Sequence, residues 1–255
     1  AASDVYKRQP GIGVEYAINE FQTVSVGIHK GFAPPGPGTS GVTDKAVDPE
    51  TSMNTEIGFK SNKGLNSLEF TLFMNSYDNL LGADTAASGG GSDELFNGGA
   101  VDISGFELYL RRILVDNGRI QMPLELAWTN TNSEFQESFD GFWGDVSKGD
   151  ELPYLPDTMI ALNLGLNVDK ISANISMKKT SEMRTVAGSG SISSSNATDE
   201  LTIIDLGLRY ALQDNIRLSV GINNFMDDDG VVSRRPYGAR PTMPRSFSFG
   251  VDYTF

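Results

Sequence analysis

The chain closes on "PRSFSFGVDYTF", residues 244–255, and alternate letters of that stretch sort onto two faces. Phe247, Phe249, Val251, Tyr253 and Phe255 share one face; Ser246, Ser248, Gly250, Asp252 and Thr254 share the other. Successive side chains of a β-strand point to opposite sides, so this period of two marks a strand with one apolar and one polar side. The same reading works far upstream. Ile160, Leu162, Leu164, Leu166 and Val168 alternate with Ala161, Asn163, Gly165 and Asn167, and Ile171, Ala173, Ile175 and Met177 with Ser172, Asn174, Ser176 and Lys178. Ile216, Leu218, Val220 and Ile222 alternate with Arg217, Ser219, Gly221 and Asn223, and Ile120, Met122, Leu124, Leu126 and Trp128 with Gln121, Pro123, Glu125 and Ala127. No segment shows the three-and-four spacing of a helix. Pro123 cannot donate to a ladder, so its strand is expected to be an edge or locally distorted.

The connections carry a second pattern. Short turns at 18–20, 61–64, 116–118, 169–170 and 213–215 are rich in Asn, Asp and Gly, which reach the backbone values tight hairpins need. Long polar segments at 33–50, 82–99, 131–156, 184–200 and 227–243 separate the hairpins, and short and long connections alternate throughout. A soluble β-sandwich would share the alternation. It gives no reason for all long loops to fall on one side, nor for polar faces so rich in Gly, Ser and Asn. A bilayer gives both: a spanning sheet must pair all its backbone groups and close, with short turns below and long loops above. The expected fold is all-β, an antiparallel up-and-down transmembrane β-barrel, of which about eleven strands are present at roughly 9–11 residues each.

Composition narrows the chemistry. A formal charge of −13 argues against nucleic acid, which demands clustered cations. With no Cys and a single His, there is neither a disulfide framework nor a zinc site of several imidazoles. No apolar run is long enough for a transmembrane helix. Residues 1–9 fit no downstream pattern and lack a signal-peptide layout, so they are expected to be a non-native leader ahead of a barrel fragment at 10–255.

Residues 221–255 resemble the carboxy-terminal end of TonB-dependent outer-membrane receptors. Asn224, Phe225, Met226 and Asp227, after Asn223, stand where that family reads Asn-Leu-Phe-Asp, and Pro244-Arg245 leads into the closing strand. "HKGFAPPGPG" (29–38) resembles the family's Gly-Phe-x-x-Pro strand end, closest to the ferric dicitrate branch. "DPETSMNTEIGFKS" (48–61), with Glu50 and Glu56, and "NGGAVDISGFELYL" (97–110) resemble its next strands. The resemblance implies part of a barrel of about 22 strands with a plugged lumen. It also implies a ferric siderophore or ferric dicitrate as cargo, TonB acting through a plug outside this sequence, and residence in the bacterial outer membrane. Val251, Tyr253 and Phe255 would then be the signal read by the outer-membrane assembly machinery. Alternatives are a receptor for cobalamin, a glycan or another nutrient, and a passive porin.

Catalysis is not expected, because His29 is the sole imidazole; nor is a cofactor or a protein-held metal. "DDDG" (227–230) lacks the ligand spacing and closing Glu of a calcium loop and reads as an acidic turn. For an anionic chelate the candidates are Arg184, Arg234, Arg235 and Arg240, whose guanidinium forks match carboxylates; the competing reading pairs them with loop acids or lipid phosphates. His29, on the polar side of its strand, and Trp143, in the acidic loop 133–151, complete the set. That loop has two further readings, solvation alone or divalent cations shared with lipopolysaccharide.

Overall fold

The computed structural model describes residues 8–34, 47–83, 95–141, 144–235 and 237–255. Eleven main strands follow in chain order: β1 (Gly11–Asn19), β2 (Gln22–Ala33), β3 (Glu50–Lys63), β4 (Asn66–Asp78), β5 (Val101–Asp116) and β6 (Ile120–Phe135), then β7 (Thr158–Val168), β8 (Ile171–Thr180), β9 (Leu201–Gln213), β10 (Ile216–Asn223) and β11 (Ser246–Tyr253). All belong to one 11-stranded sheet in which spatial order equals sequence order. Every pairing is antiparallel, so the sheet is an up-and-down meander. Among the described residues, three two-stranded ribbons decorate the long connections: Leu81–Ala83 with Leu95–Asn97, Phe139–Gly141 with Gly144–Val146, and Val231–Ser233 with Arg240–Pro241.

Register carries each strand's apolar side across its neighbours. Leu162 lies opposite Leu126 and Met177, and Leu218 opposite Tyr210 and Val251. The polar side is equally continuous: Asn163 faces Glu125 and Ser176, and Ser219 faces Arg209 and Gly250. A one-residue slip anywhere would interleave the two sets, so the alternation itself holds the register. Tyr16, Phe59 and Phe70 fall in one outward row near the short turns, and Tyr210 and Tyr253 lie at the same end. Amphipathic rings of this kind suit a membrane interface.

No second layer packs on the sheet among the described residues. Ile12, Val14, Ile57, Met74 and Phe249 are exposed on the apolar face. The buried apolar residues, Val101, Phe135, Val146, Ala197 and Leu201, all sit at the loop-bearing end. Strands β5 and β6 reach it because each has 16 residues, more than the ~9–11 that cross the hydrocarbon. Their upper ends, Val101 opposite Phe135, are covered by Val146 of the following loop.

The expectation for Pro123 is met by distortion. On one side a bulge separates Ile113 from Val115; on the other the β6–β7 pairing breaks off between Leu124–Leu164 and Gln121–Asn167. The missing N–H leaves the ladder open there. Gly165 lies against the ring, where a Cβ would stand 2.8 Å from Pro123 Cγ. The short turns behave as read, with Gly118 at φ +81° and Asp169 at φ +49°.

In the bilayer-embedded protein, nitroxide labels at Leu162 and Leu218 are expected to be relaxed by oxygen, and labels at Asn163 and Ser219 by a water-soluble nickel chelate. Equal responses on the two faces would rule out an apolar exterior around an aqueous interior.

Candidate functional site

Three long connections, 136–157, 181–200 and 224–245, pack on one another at the rim, and the charged residues of the sequence reading are concentrated there. Their foundation is Asn224, buried and at φ +50°. Its amide N–H donates to Asp205 Oδ1 at 2.8 Å, and its side-chain Nδ2 donates to the carbonyls of Asp228 and Met243 at 3.0 Å. Its Oδ1 accepts the Asp228 N–H at 2.9 Å, so both halves of the loop are tied to one side chain. A few residues on, Asp227 Oδ1 accepts the Arg245 N–H at 2.8 Å, and Arg245 Nη1 donates to Phe225 O at 3.1 Å. Asn224, Asp227 and Arg245 thus form the stem from which the last loop leaves β10 and re-enters β11. Short polar side chains tolerate this left-handed backbone best, which is why Asn stands there.

Arg184 is not at the mouth as a free fork. Its side chain is 7% exposed and pairs with Glu151, Nη2 to Oε2 at 2.6 Å and Nε to Oε2 at 2.7 Å. Nη2 also donates to Gly190 O at 3.0 Å, and the backbones of the two loops join through Glu151 N to Gly188 O and Tyr154 N to Arg184 O, each 2.8 Å. Arg234 links the next pair of loops: Nε donates to Ala197 O at 2.5 Å and Nη2 to Ser194 O at 2.8 Å. Asp199 adds a carboxylate bond to Val231 N at 2.7 Å. Both arginines therefore hold loop to loop, and the reading that pairs such cations with loop groups describes them better than a ligand contact. Arg235 is half-buried beside Ser233, while Arg240 is exposed on the ribbon opposite that serine. Those two remain at the outer surface of the last loop.

The acidic loop divides by role. Asp150 is buried and accepts Ser147 N at 2.8 Å, Glu137 accepts Ala100 N at 3.0 Å, and Glu151 holds Arg184. Asp140 and Asp145 oppose each other across a ribbon, and the hydrogen bond between them raises the Asp140 pKa. Trp143 lies outside the described residues. Partial burial raises the Asp157 carboxyl above 3.8, helped by nearby Glu151 and opposed by Arg184.

A second set of ties anchors the first loops. Asn97 Oδ1 accepts Asp48 N and its Nδ2 donates to Asp48 O, both at 2.8 Å, while Glu50 Oε2 accepts Leu81 N at 2.9 Å. Glu50 is thus a rim strut, whereas Glu56 faces inward. His29 also faces inward, opposite Gly11 and Asn54, in a depression of about 380 Å³ that it shares with Glu56, Thr71 and Glu107. No group of three or more metal-ligating side chains converges among the described residues. The rim and wall offer hydrogen bonds and charge to a bound molecule.

A family model described as TonB dependent receptor-like, beta-barrel, matches residues 3–225. Among solved structures, the ferric-catecholate import receptor Fiu from E. coli K12 aligns with a TM-score of 0.74 at 19% identity, over 96% of this chain and 34% of its own. The ferric yersiniabactin uptake receptor FyuA from Yersinia pestis gives 0.73 at 15%, over 96% and 37%. The siderophore receptor PiuA from Acinetobacter baumannii gives 0.74 at 18%, over 95% and 35%. At these identities the likeness is one of fold, and the chain spans about a third of each of these proteins. No curated protein sequence matches significantly.

Two substitutions test the loop assembly in the intact protein. Arg184→Ala leaves Glu151 unpaired and strips a buried donor, with an expected loss of about 2–3 kcal/mol in denaturant melts. Asp157→Asn removes a carboxylate whose charged form is disfavoured by folding, so it should stabilise modestly, by less than ~1 kcal/mol, at neutral pH. The sign follows from a folded pKa above the unfolded one: the advantage fades as pH falls through the raised pKa and is gone below 3.8, where the wild-type carboxyl is protonated in both states.

Proposed function

This chain belongs to the TonB-dependent receptor-like β-barrel family, and from that premise we propose that it is the carboxy-terminal part of an outer-membrane receptor for the energised uptake of a ferric chelate, a ferric siderophore or ferric dicitrate. One observation carries the reading: three long connections are bonded into a single platform above a continuous polar sheet face, while the opposite face is apolar and bare. A passive channel needs no such platform. A receptor needs one, because a preorganised surface binds without first ordering its loops. The likeness to Fiu, FyuA and PiuA, receptors for a ferric catecholate, ferric yersiniabactin and a siderophore, supports iron chelates as the cargo class. Iron would stay inside its chelator, so no protein ligands to the metal are required, and no catalysis is involved.

In this reading the residues that meet ligand are sought at the outer surface of the platform, with Arg235 and Arg240 as candidates and His29 deeper on the inner wall; Trp143 stays a candidate on its sequence alone. Arg184 and Arg234 position the loops beneath. The TonB complex would act through a plug that this sequence does not include. Val251, Tyr253 and Phe255 project from the last strand toward the lipid side and are exposed, with the two rings edge-to-face at 4.9 Å. They would serve as the signal for the outer-membrane assembly machinery. Bilayer lipid and lipopolysaccharide are the remaining partners.

Deleting the complete gene in its host and supplying defined iron chelates should abolish uptake of at least one chelate, and removing TonB should abolish the same uptake. Uptake that persists without TonB would identify a passive porin. A growth defect cured by cobalamin or a glycan, with iron uptake intact, would reassign the cargo. Separately, Phe255→Ala in the full-length protein should lower its level in the outer membrane several-fold while leaving its synthesis unchanged.

A further inference from the structure

The gap that Pro123 opens in the ladder has a consequence on the polar face. There the wall sinks into a concavity of about 450 Å³ whose floor is Gly165 against Pro123 and whose rim bears Arg111, Glu125, Asn163, Asn167, Asn174 and Arg209. Two guanidiniums against one carboxylate leave a formal charge of +1. Arg111 is engaged by Glu125 at 3.5 Å. Arg209 is exposed and meets no carboxylate among the described residues; the side chains directly opposite it are Ser172 and Ser219. Asn163 lines the hollow, and its Oδ1 is already taken by the Ser176 hydroxyl of β8, so its side chain has donors rather than this acceptor to offer. Asn174 lies over Gly207, where any Cβ would collide with its amide oxygen, so a glycine on β9 makes room for it.

We propose that this concavity is a carboxylate-binding subsite on the inner wall, with Arg209 as the fork that receives the anion and Asn163, Asn167 and Asn174 as flanking donors. A guanidinium presents two parallel N–H bonds to a carboxylate, and side-chain amides can complete its remaining lone pairs. An unpaired cation ringed by neutral donors is arranged for an anion, whereas Arg111 already has its own. The proposal rests on the reading of the polar face as the interior of a receptor barrel. Two sources present the same chemistry: a carboxylate-bearing solute on its way through, or an Asp or Glu side chain of polypeptide occupying the lumen.

The test uses the full-length receptor in detergent, as wild type, Arg209→Gln, Arg209→Lys and, as a control in the β3–β4 turn away from the hollow, Lys63→Gln. Citrate, free of iron, is titrated calorimetrically into each, and thermal unfolding is followed without citrate. If the source is solute, citrate binds the wild type and Arg209→Gln weakens it at least tenfold. Arg209→Lys then restores it only in part, and Tm is the same for all four. If the source is polypeptide, citrate does not bind the wild type, and Arg209→Gln lowers Tm where Lys63→Gln does not. The proposal is overturned if neither citrate affinity nor Tm separates Arg209→Gln from Lys63→Gln. Uptake of iron chelates by cells is a separate measurement, so a failure here leaves the receptor reading standing.

Discussion

Backbone hydrogen bonding is the constraint on which the rest of this molecule depends. A segment crossing hydrocarbon has no water with which to satisfy its N–H and C=O groups, so each strand must find both neighbours within the protein. The eleven strands do so in simple sequence order, and the ladders are interrupted only beside Pro123 and by register shifts at the turn ends Ala17–Asn19 and Ala211–Gln213. Once the ladder is obligatory, side chains follow without further instruction. Period-two alternation sends Leu162, Leu126 and Met177 to one side and Asn163, Glu125 and Ser176 to the other. An apolar exterior needs no second layer, which accounts for a 255-residue chain with so few buried apolar side chains.

What packing there is has moved to the rim. Val101, Phe135 and Val146 make a small core under the loops, and the loops are otherwise held by polar contacts that carry direction as well as energy. Asn224 holds both ends of the last connection, Arg184 and Glu151 join two others, and Arg234 spans to the carbonyls of Ala197 and Ser194. Because Arg184 is almost wholly shielded from water, losing Glu151 would strand a charge, so the pair specifies an arrangement more than it adds stability. Polar contacts of this kind hold the described parts of the connections in one arrangement without a large apolar core.

Much of the fold was legible in the sequence because strand alternation and turn chemistry are local. The five short turns could be placed from their Asn, Asp and Gly, and Pro123 announced a distortion. The motif around Asn224, Asp227 and Arg245 was visible as a resemblance, though not as the three-residue stem it proves to be. The site was less legible. Arg184 and Arg234 looked like candidate ligand contacts because guanidiniums in a polar loop always do; only the neighbours 33 and 37 positions away, Glu151 and the Ala197 carbonyl, show how they are used. The hollow beside Arg209 was also missed. Its signal, a proline on the polar side of an inner strand facing a glycine on the next, needs the register between strands to be known.

The sequence by itself determined which side of every strand is oily, where the chain turns back and on which rim the long loops lie, since each of these is set by residues adjacent along the chain. Tertiary structure alone decided which cations are sequestered and which face open space. That depends on carboxylates and carbonyls brought from distant loops and strands, and a guanidinium's electrostatic role is defined by its surroundings, not by its own identity.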